Sequence, residues 1–250
     1  MGWNERVYSF GDDNVVYLEI ESLDEELVDL IDDCIVKICY GDPRLTIEEA
    51  KEYILDFIEG KDIRRRMGAV AEFFIHLYLG TKGLLQECLF TNLEENSPKK
   101  GFDGVYVDEV GNTWYMESKA GDGANTTHYD KIELAYTNLK NRIESIDRTK
   151  NNPWMNALNH VKILRDNEPL EERLLQISRQ FRAGTAQNIA NYSIIPCGTI
   201  VDDSNIAYDG STVVSDCYRY LSARDYGSIF GVCVTNRVLE EFERYLRDEL

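Results

Sequence analysis

An α/β domain, a central sheet flanked by helices in a three-layer α/β/α or α+β arrangement, is the fold class the sequence predicts. Three observations predict it. Apolar residues at helical spacing fill much of the first third and most of the stretch from 129 to 182. Alternating or β-branched runs lie between and after these segments. The chain has 250 residues, 43% of them apolar, enough for one large core. The expected organisation is one compact unit, with residues 1–60 an N-terminal strand and helices packed on a core of residues 61–250.

The elements follow in order. Val15–Glu21 has strand composition. Ser22–Glu25 is a capping-box pattern before a helix running to about Cys39, stopped by Gly41-Asp-Pro43. Thr46–Glu49 opens a second helix in the same way, ending near Gly60. A third helix covers Asp62 to Leu79. Its apolar residues Ile63, Met67, Val70, Phe74 and Tyr78 follow helical spacing, and Ile75 and Leu79 on the reverse face mark it as buried. Cys88–Thr91 reads as a short strand. Phe102–Asp108 and Thr113–Lys119 alternate around Gly111-Asn112 as a β-hairpin. Helices are expected at Tyr129–Asp147, Trp154–Arg165 and Leu170–Arg182. Strands return at Tyr192–Cys197 and Ser228–Val234, and a helix follows from Val238 to about Leu246.

Composition bounds the function. There are 27 Lys and Arg against 45 Asp and Glu, a formal net charge of −18. That excludes a free-standing nucleic-acid binder driven by bulk charge. No apolar run approaches the roughly 18 residues needed to span a bilayer. The N-terminus has no basic start with an apolar core, and Arg6 stands where a myristoylation pattern wants Ser or Thr. The expectation is a soluble cytoplasmic protein with no membrane partner. Six cysteines occur without a CxxC pair, mostly inside apolar stretches, and read as buried reduced thiols. No Walker-type loop is present, so any ATP is handled by a partner.

Four residues stand out chemically: Glu72, Asp103, Glu117 and Lys119. Glu72 is a carboxylate in the apolar helix segment Ala69–Leu79, where it needs a partner or a proton. In the hairpin, alternation puts Thr113, Tyr115, Glu117 and Lys119 on one face. A three-residue loop Val110-Gly111-Asn112 would set Asp103 opposite Lys119, with Glu117 diagonal to it. A two-residue turn would rotate Asp103 away. A hard cation such as Mg²⁺ takes oxygen ligands, usually one or two of them carboxylates. Asp103 and Glu117 supply such a pair, the Ser118 backbone carbonyl adds a neutral oxygen, and Glu72 reaches the metal through water. Lys119 orients a water or stabilises negative charge on a phosphate in transfer. The bland alternative is an acid/base ladder on an exposed hairpin face.

In this order and context the residues resemble the PD-(D/E)xK nuclease superfamily, with Phe102-Asp103 in place of the Pro-Asp that names it. The resemblance implies a restriction-endonuclease-like core, a central mixed sheet flanked by helices. The segments Gly68–Phe73, Lys100–Gly104 and Trp114–Lys119 more closely resemble the HamA family, the nuclease subunits of the Hachiman anti-phage defence systems. That resemblance covers most of the chain, most firmly residues 60 to 235. It implies a Mg²⁺-dependent deoxyribonuclease, with Mn²⁺ able to substitute. It also implies a superfamily-2 helicase partner, HamB, that restrains the nuclease and supplies DNA. Two rival readings stay open: a catalytically silent nuclease-fold scaffold of the helicase, and an RNase on the same core.

Further residues are weighed beside these. Arg64 and Arg65, in the basic run at the start of the Glu72 helix, Lys99 and Lys100 just before Gly101, and Lys131 on the helix after the hairpin are the candidate DNA contacts. His76, one helical turn after Glu72, is expected as a hydrogen-bonded core histidine. His128 is expected to cap a helix or lie at the surface, and Gly121–Gly123 to form a turn.

Overall fold

The structure is a computed structural model. It describes residues 3–10, 13–41, 44–90, 101–147, 149, 151–164, 167–202, 204 and 206–249. A hairpin opens the chain, β1 (Asn4–Phe10) pairing antiparallel with β2 (Asp13–Ile20). Three helices follow: α1 (Glu25–Cys39), α2 (Ile47–Ile58) and α3 (Ile63–Thr81). Each begins on a side-chain cap, which satisfies an amide the helix itself leaves open. Asp24 accepts from the Leu27 N–H, Thr46 and Glu49 close a capping box, and Asp62 accepts from the Arg65 N–H. Asp24 therefore displaces the expected Ser22 cap, and α1 starts two residues later than a Ser22–Glu25 box would place it.

The middle of the chain holds β3 (Leu85–Gln86), β4 (Gly104–Val107) and β5 (Thr113–Asp122). The short strand lies before the expected Cys88–Thr91. The Phe90 N–H is instead bonded to the Ile38 carbonyl at the end of α1, at 3.1 Å. Thr91 lies outside the described residues. The remaining elements are α4 (His128–Glu144), α5 (Pro153–Leu164), α6 (Glu168–Ala183), β6 (Ser193–Val201), α7 (Gly210–Leu221), β7 (Ser228–Asn236) and α8 (Leu239–Leu246). β1 and α7 are additions to the elements expected from the sequence pattern.

All strands join one seven-stranded sheet in the order β1-β2-β7-β6-β5-β4-β3. The central four, β2, β7, β6 and β5, are parallel, and antiparallel pairs extend both edges. Parallel neighbours need crossovers, and the segments α4–α6 and α7 provide them for β5–β6 and β6–β7. One face carries α1, α2, α3 and α8 on a core that includes Leu18, Met116, Cys197 and Val234. The other carries α4 to α7 on Tyr17, Tyr115, Ile194 and Cys233. The expected α/β architecture, a mixed sheet flanked by helices, is what the chain adopts. All six cysteines are free thiols; Cys34 is half-buried and the other five are buried. No helix among the described residues is long and apolar enough to cross a membrane.

The β4–β5 hairpin sets the register of the chemistry-bearing residues. Its loop has the three residues that parity demands, but they are Glu109-Val110-Gly111. Asp108 and Asn112 close it through the Asp108 N–H to Asn112 carbonyl bond, 3.1 Å, and the Gly111 N–H donates to the Asp108 carbonyl, 3.0 Å. Gly111 has φ +88°, the left-handed position that such a three-residue loop fills with glycine. The Asp108 carboxylate accepts from the Asn112 N–H at 2.7 Å and from Trp114 Nε1 at 3.0 Å, which pins the loop. Gly104 therefore faces Met116, and one step further out Asp103 lies opposite Glu117. The expected Asp103–Lys119 pairing is corrected by two positions along β5. The side-chain period is two, so Asp103 keeps its face.

Candidate active site

Glu117 lies in mid-β5 on the sheet face covered by α4, with its side chain fully buried. A buried carboxylate requires charged or polar partners. It has three. Lys119 Nζ donates to its Oε1 at 2.6 Å and Asn138 Nδ2 to the same oxygen at 3.3 Å. Arg142 Nη1 donates to its Oε2. Asn138 and Arg142 are one turn apart on α4 and point at the strand together.

Asp103 precedes β4 at the mouth of the hairpin. Its backbone N–H bonds the Met116 carbonyl at 3.1 Å. Its Oδ2 accepts the Ser118 N–H at 2.9 Å, and its Oδ1 lies 3.8 Å from Arg142 Nη1. Each carboxylate thus has one oxygen anchored to the protein and a second directed at the same guanidinium nitrogen. Burial first, then the charges of Glu117 and Glu72, push the Asp103 carboxyl well above the usual carboxylate range, while Lys119 and Arg142 oppose this. Asp103 and Glu117 are thus neighbours, Glu72 acts on Asp103 by charge, and two cations partly offset them.

Lys119 also donates to the Ser118 carbonyl at 3.1 Å, so the oxygen expected as a neutral ligand already faces positive charge. Arg142 donates to the Gly101 carbonyl as well, which ties α4 to the segment entering Asp103.

Glu72 sits in mid-α3 with its side chain 19% exposed. His76, one turn on and fully buried, places Nε2 3.5 Å from Glu72 Oε1. The other ring nitrogen, Nδ1, is hydrogen-bonded to the hydroxyl of Tyr106, a buried residue of β4. His76 is the core histidine the sequence predicts, and it also faces Glu72. α3 is fixed above the hairpin by this chain of contacts and by Phe73 and Phe74 packed against Phe242 of α8.

The other expected residues are less central. Arg64 and Arg65 are exposed in the first turn of α3, and Arg65 pairs with Asp62 at 3.4 Å. Arg66 is taken up structurally by Glu243 of α8. Lys99 and Lys100 lie outside the described residues. Lys131 lies across Gly121, where an added Cβ would meet its Nζ at 2.6 Å. Gly121 and Asp122 continue β5, with Gly121 on the face of Lys119, and the turn expected over Gly121–Gly123 begins only at Gly123. His128 is neither cap nor surface residue. Thr127 caps α4, and the buried His128 ring bonds Thr235 Oγ1 at 3.0 Å.

Sequence reasoning missed Asn138 and Arg142. The signal was present: Lys131, Asn138 and Arg142 recur at steps of seven and four along α4, a polar stripe beside the buried Ala135 and Leu139. No three His, Cys, Asp or Glu residues close on a common point among the described residues. The donor set is two carboxylates and a backbone carbonyl, with Glu72 near enough to act on Asp103 by charge. Hard oxygens with two convergent carboxylates suit a divalent cation that keeps much of its water.

No curated protein matches the chain significantly. The model of the HamA family matches residues 4–227, most of the chain and every element from β1 to α7. The chain therefore belongs to the HamA family, the Hachiman defence component its core segments resemble.

Proposed function

We propose that this chain is a Mg²⁺-dependent deoxyribonuclease with a PD-(D/E)xK core, the effector of a Hachiman complex whose superfamily-2 helicase restrains it and supplies it with DNA. One observation carries the reading. Asp103 and Glu117, opposite each other across a hairpin, direct one carboxylate oxygen each at a single positive nitrogen, with Lys119 bonded to Glu117. Mg²⁺ or Mn²⁺ would be held by Asp103, Glu117 and the Ser118 carbonyl, with Glu72 reaching it through water. Bound there, the ion acidifies water and neutralises charge on a scissile phosphate.

The chain's own residues do the rest. Asn138 and the Ser118 N–H fix the two carboxylates in orientation. Lys119 would hold the attacking water or the developing phosphate charge. His76 and Tyr106 orient Glu72 from behind. Lys131, over Gly121 of β5, and the exposed Arg64 and Arg65 of α3 would meet DNA phosphates.

The scaffold reading draws on the same ion pairs, because Lys119 and Arg142 already offset the carboxylates without a metal. Thermal denaturation separates the two. A ligand bound only by the folded state must stabilise it. Mn²⁺ is expected to raise the Tm of the wild-type chain and to leave Asp103→Ala and Glu117→Ala unmoved. An unchanged wild-type Tm at millimolar Mn²⁺ would favour the scaffold. Parallel assays on DNA and RNA of one sequence decide the sugar type.

A further inference from the structure

Arg142, a cation contributed from α4 outside the hairpin, pairs directly with the two carboxylates. Its Nη1 bonds the Gly101 carbonyl and Glu117 Oε2, and lies 3.8 Å from Asp103 Oδ1. The other oxygens of the two carboxylates are anchored independently. Glu117 Oε1 is held by Lys119 and Asn138, and Asp103 Oδ2 by the Ser118 N–H. These anchoring bonds do not involve the guanidinium, so they stay available to both carboxylates when it leaves.

We propose that Arg142 and a divalent cation compete for the same two carboxylate oxygens, and that a DNA phosphate draws Arg142 away, so that DNA and metal load the site together. The inference rests on the metal-site reading above and adds its regulation. A guanidinium and a metal ion repel each other and need the same oxygens. Arg142 has somewhere to go. Its helix is fixed by the buried Leu139 and Ile143, while its own side chain is long and 29% exposed. A phosphate arriving at Lys119 offers the fork a bidentate anion that Gly101 and Glu117 do not. By linkage, the factor by which DNA tightens metal binding equals the factor by which metal tightens DNA binding. The consequence is a site that stays self-neutralised until a polyanion is presented.

The test is Mn²⁺ binding by titration calorimetry on the full chain, with and without a short phosphorothioate duplex that resists hydrolysis. Without DNA, Arg142→Gln is expected to bind Mn²⁺ about ten-fold more tightly than wild type, within the usual range of site–site coupling. The duplex is expected to tighten Mn²⁺ binding to wild type by a similar factor and to leave Arg142→Gln nearly unchanged. Arg142→Lys, with a charge but no fork, falls between. Equal Mn²⁺ affinity in wild type and Arg142→Gln overturns the inference and leaves the metal site standing. Absence of Mn²⁺ binding to either protein overturns the metal reading and the inference with it. Should Arg142→Gln not fold, the wild-type arm still decides: a duplex that does not change Mn²⁺ affinity overturns the proposal.

Discussion

Asp103 shows how far this site stands from an ordinary surface ladder. Its charge is opposed by burial and by the charges of Glu117 and Glu72, which push its carboxyl well above the usual carboxylate range. Replacing it with Asn keeps an oxygen for the Ser118 N–H and removes the repulsion. Asp103→Asn is expected to abolish metal-dependent cleavage while raising the Tm without metal by about 2–4 °C, the shift that 1 kcal/mol brings in a chain of this size. A lowered Tm would show that the carboxylate is stabilising. Lys119→Met should cost about 10²–10³ in kcat, as loss of one charge-stabilising donor does.

A second titrating group lies away from the site. Burial lowers the His128 pKa from its usual 6.5 to about 4, so the folded state keeps the ring neutral. The unfolded chain takes up the proton first. Stability therefore falls as pH drops from about 6.5 to about 4, by about 3 kcal/mol in total, and this contribution is flat below. Urea unfolding of wild type and His128→Gln across that range checks it. The difference between them should shrink with acid, and a constant difference would contradict the buried neutral ring.

Among the elements, the hairpin carries the most information, and it was legible in kind. Alternation placed Glu117 and Lys119 on one face, and the need for an odd-length loop kept Asp103 on it. The loop position was not legible, because Gly111-Asn112 also reads as a two-residue turn. The Asp108 side chain decides it by bonding Asn112 and Trp114. Gly111→Ala should cost about 1 kcal/mol by forcing φ +88° on a Cβ, with little effect on cleavage. Thermal denaturation beside an activity assay tests both halves.

The helices α2 and α3 were legible from their caps and periodicity. β1 was not. Its Glu5 to Tyr8 are exposed, so no inward apolar pattern marks it, and pairing with β2 alone makes it a strand. α7 carries Thr and two Val near its start, a strand-like composition, and is held as a helix by Val214, Cys217, Tyr220 and Leu221 packed on the sheet. Arg142 was missed for a related reason. It belongs to an element outside the short motif and joins the site only through tertiary packing.

Over the whole molecule the net charge of −18 sets the terms for a DNA-cutting role. A polyanion is repelled at long range, so local cations such as Lys119, Lys131 and Arg142 must work against the global field. On the proposed reading, the isolated chain is expected to cleave DNA poorly at physiological salt, and its complex with the proposed helicase partner to cleave well. Robust cleavage by the isolated chain at high salt would contradict delivery by the partner. If the proposed activity holds, the ion-paired carboxylates and the net negative charge act in the same direction, keeping cleavage low until DNA is brought to the site.

The most direct test of the central claim is cleavage of plasmid and linear DNA with Mg²⁺ or Mn²⁺. Wild type, Glu117→Ala and Lys119→Ala are compared, each alone and with the proposed helicase partner. The account predicts metal-dependent cutting that is strongest in the complex and lost in both variants. Cleavage that survives Glu117→Ala, or no cleavage by the wild-type complex with either metal, would contradict it.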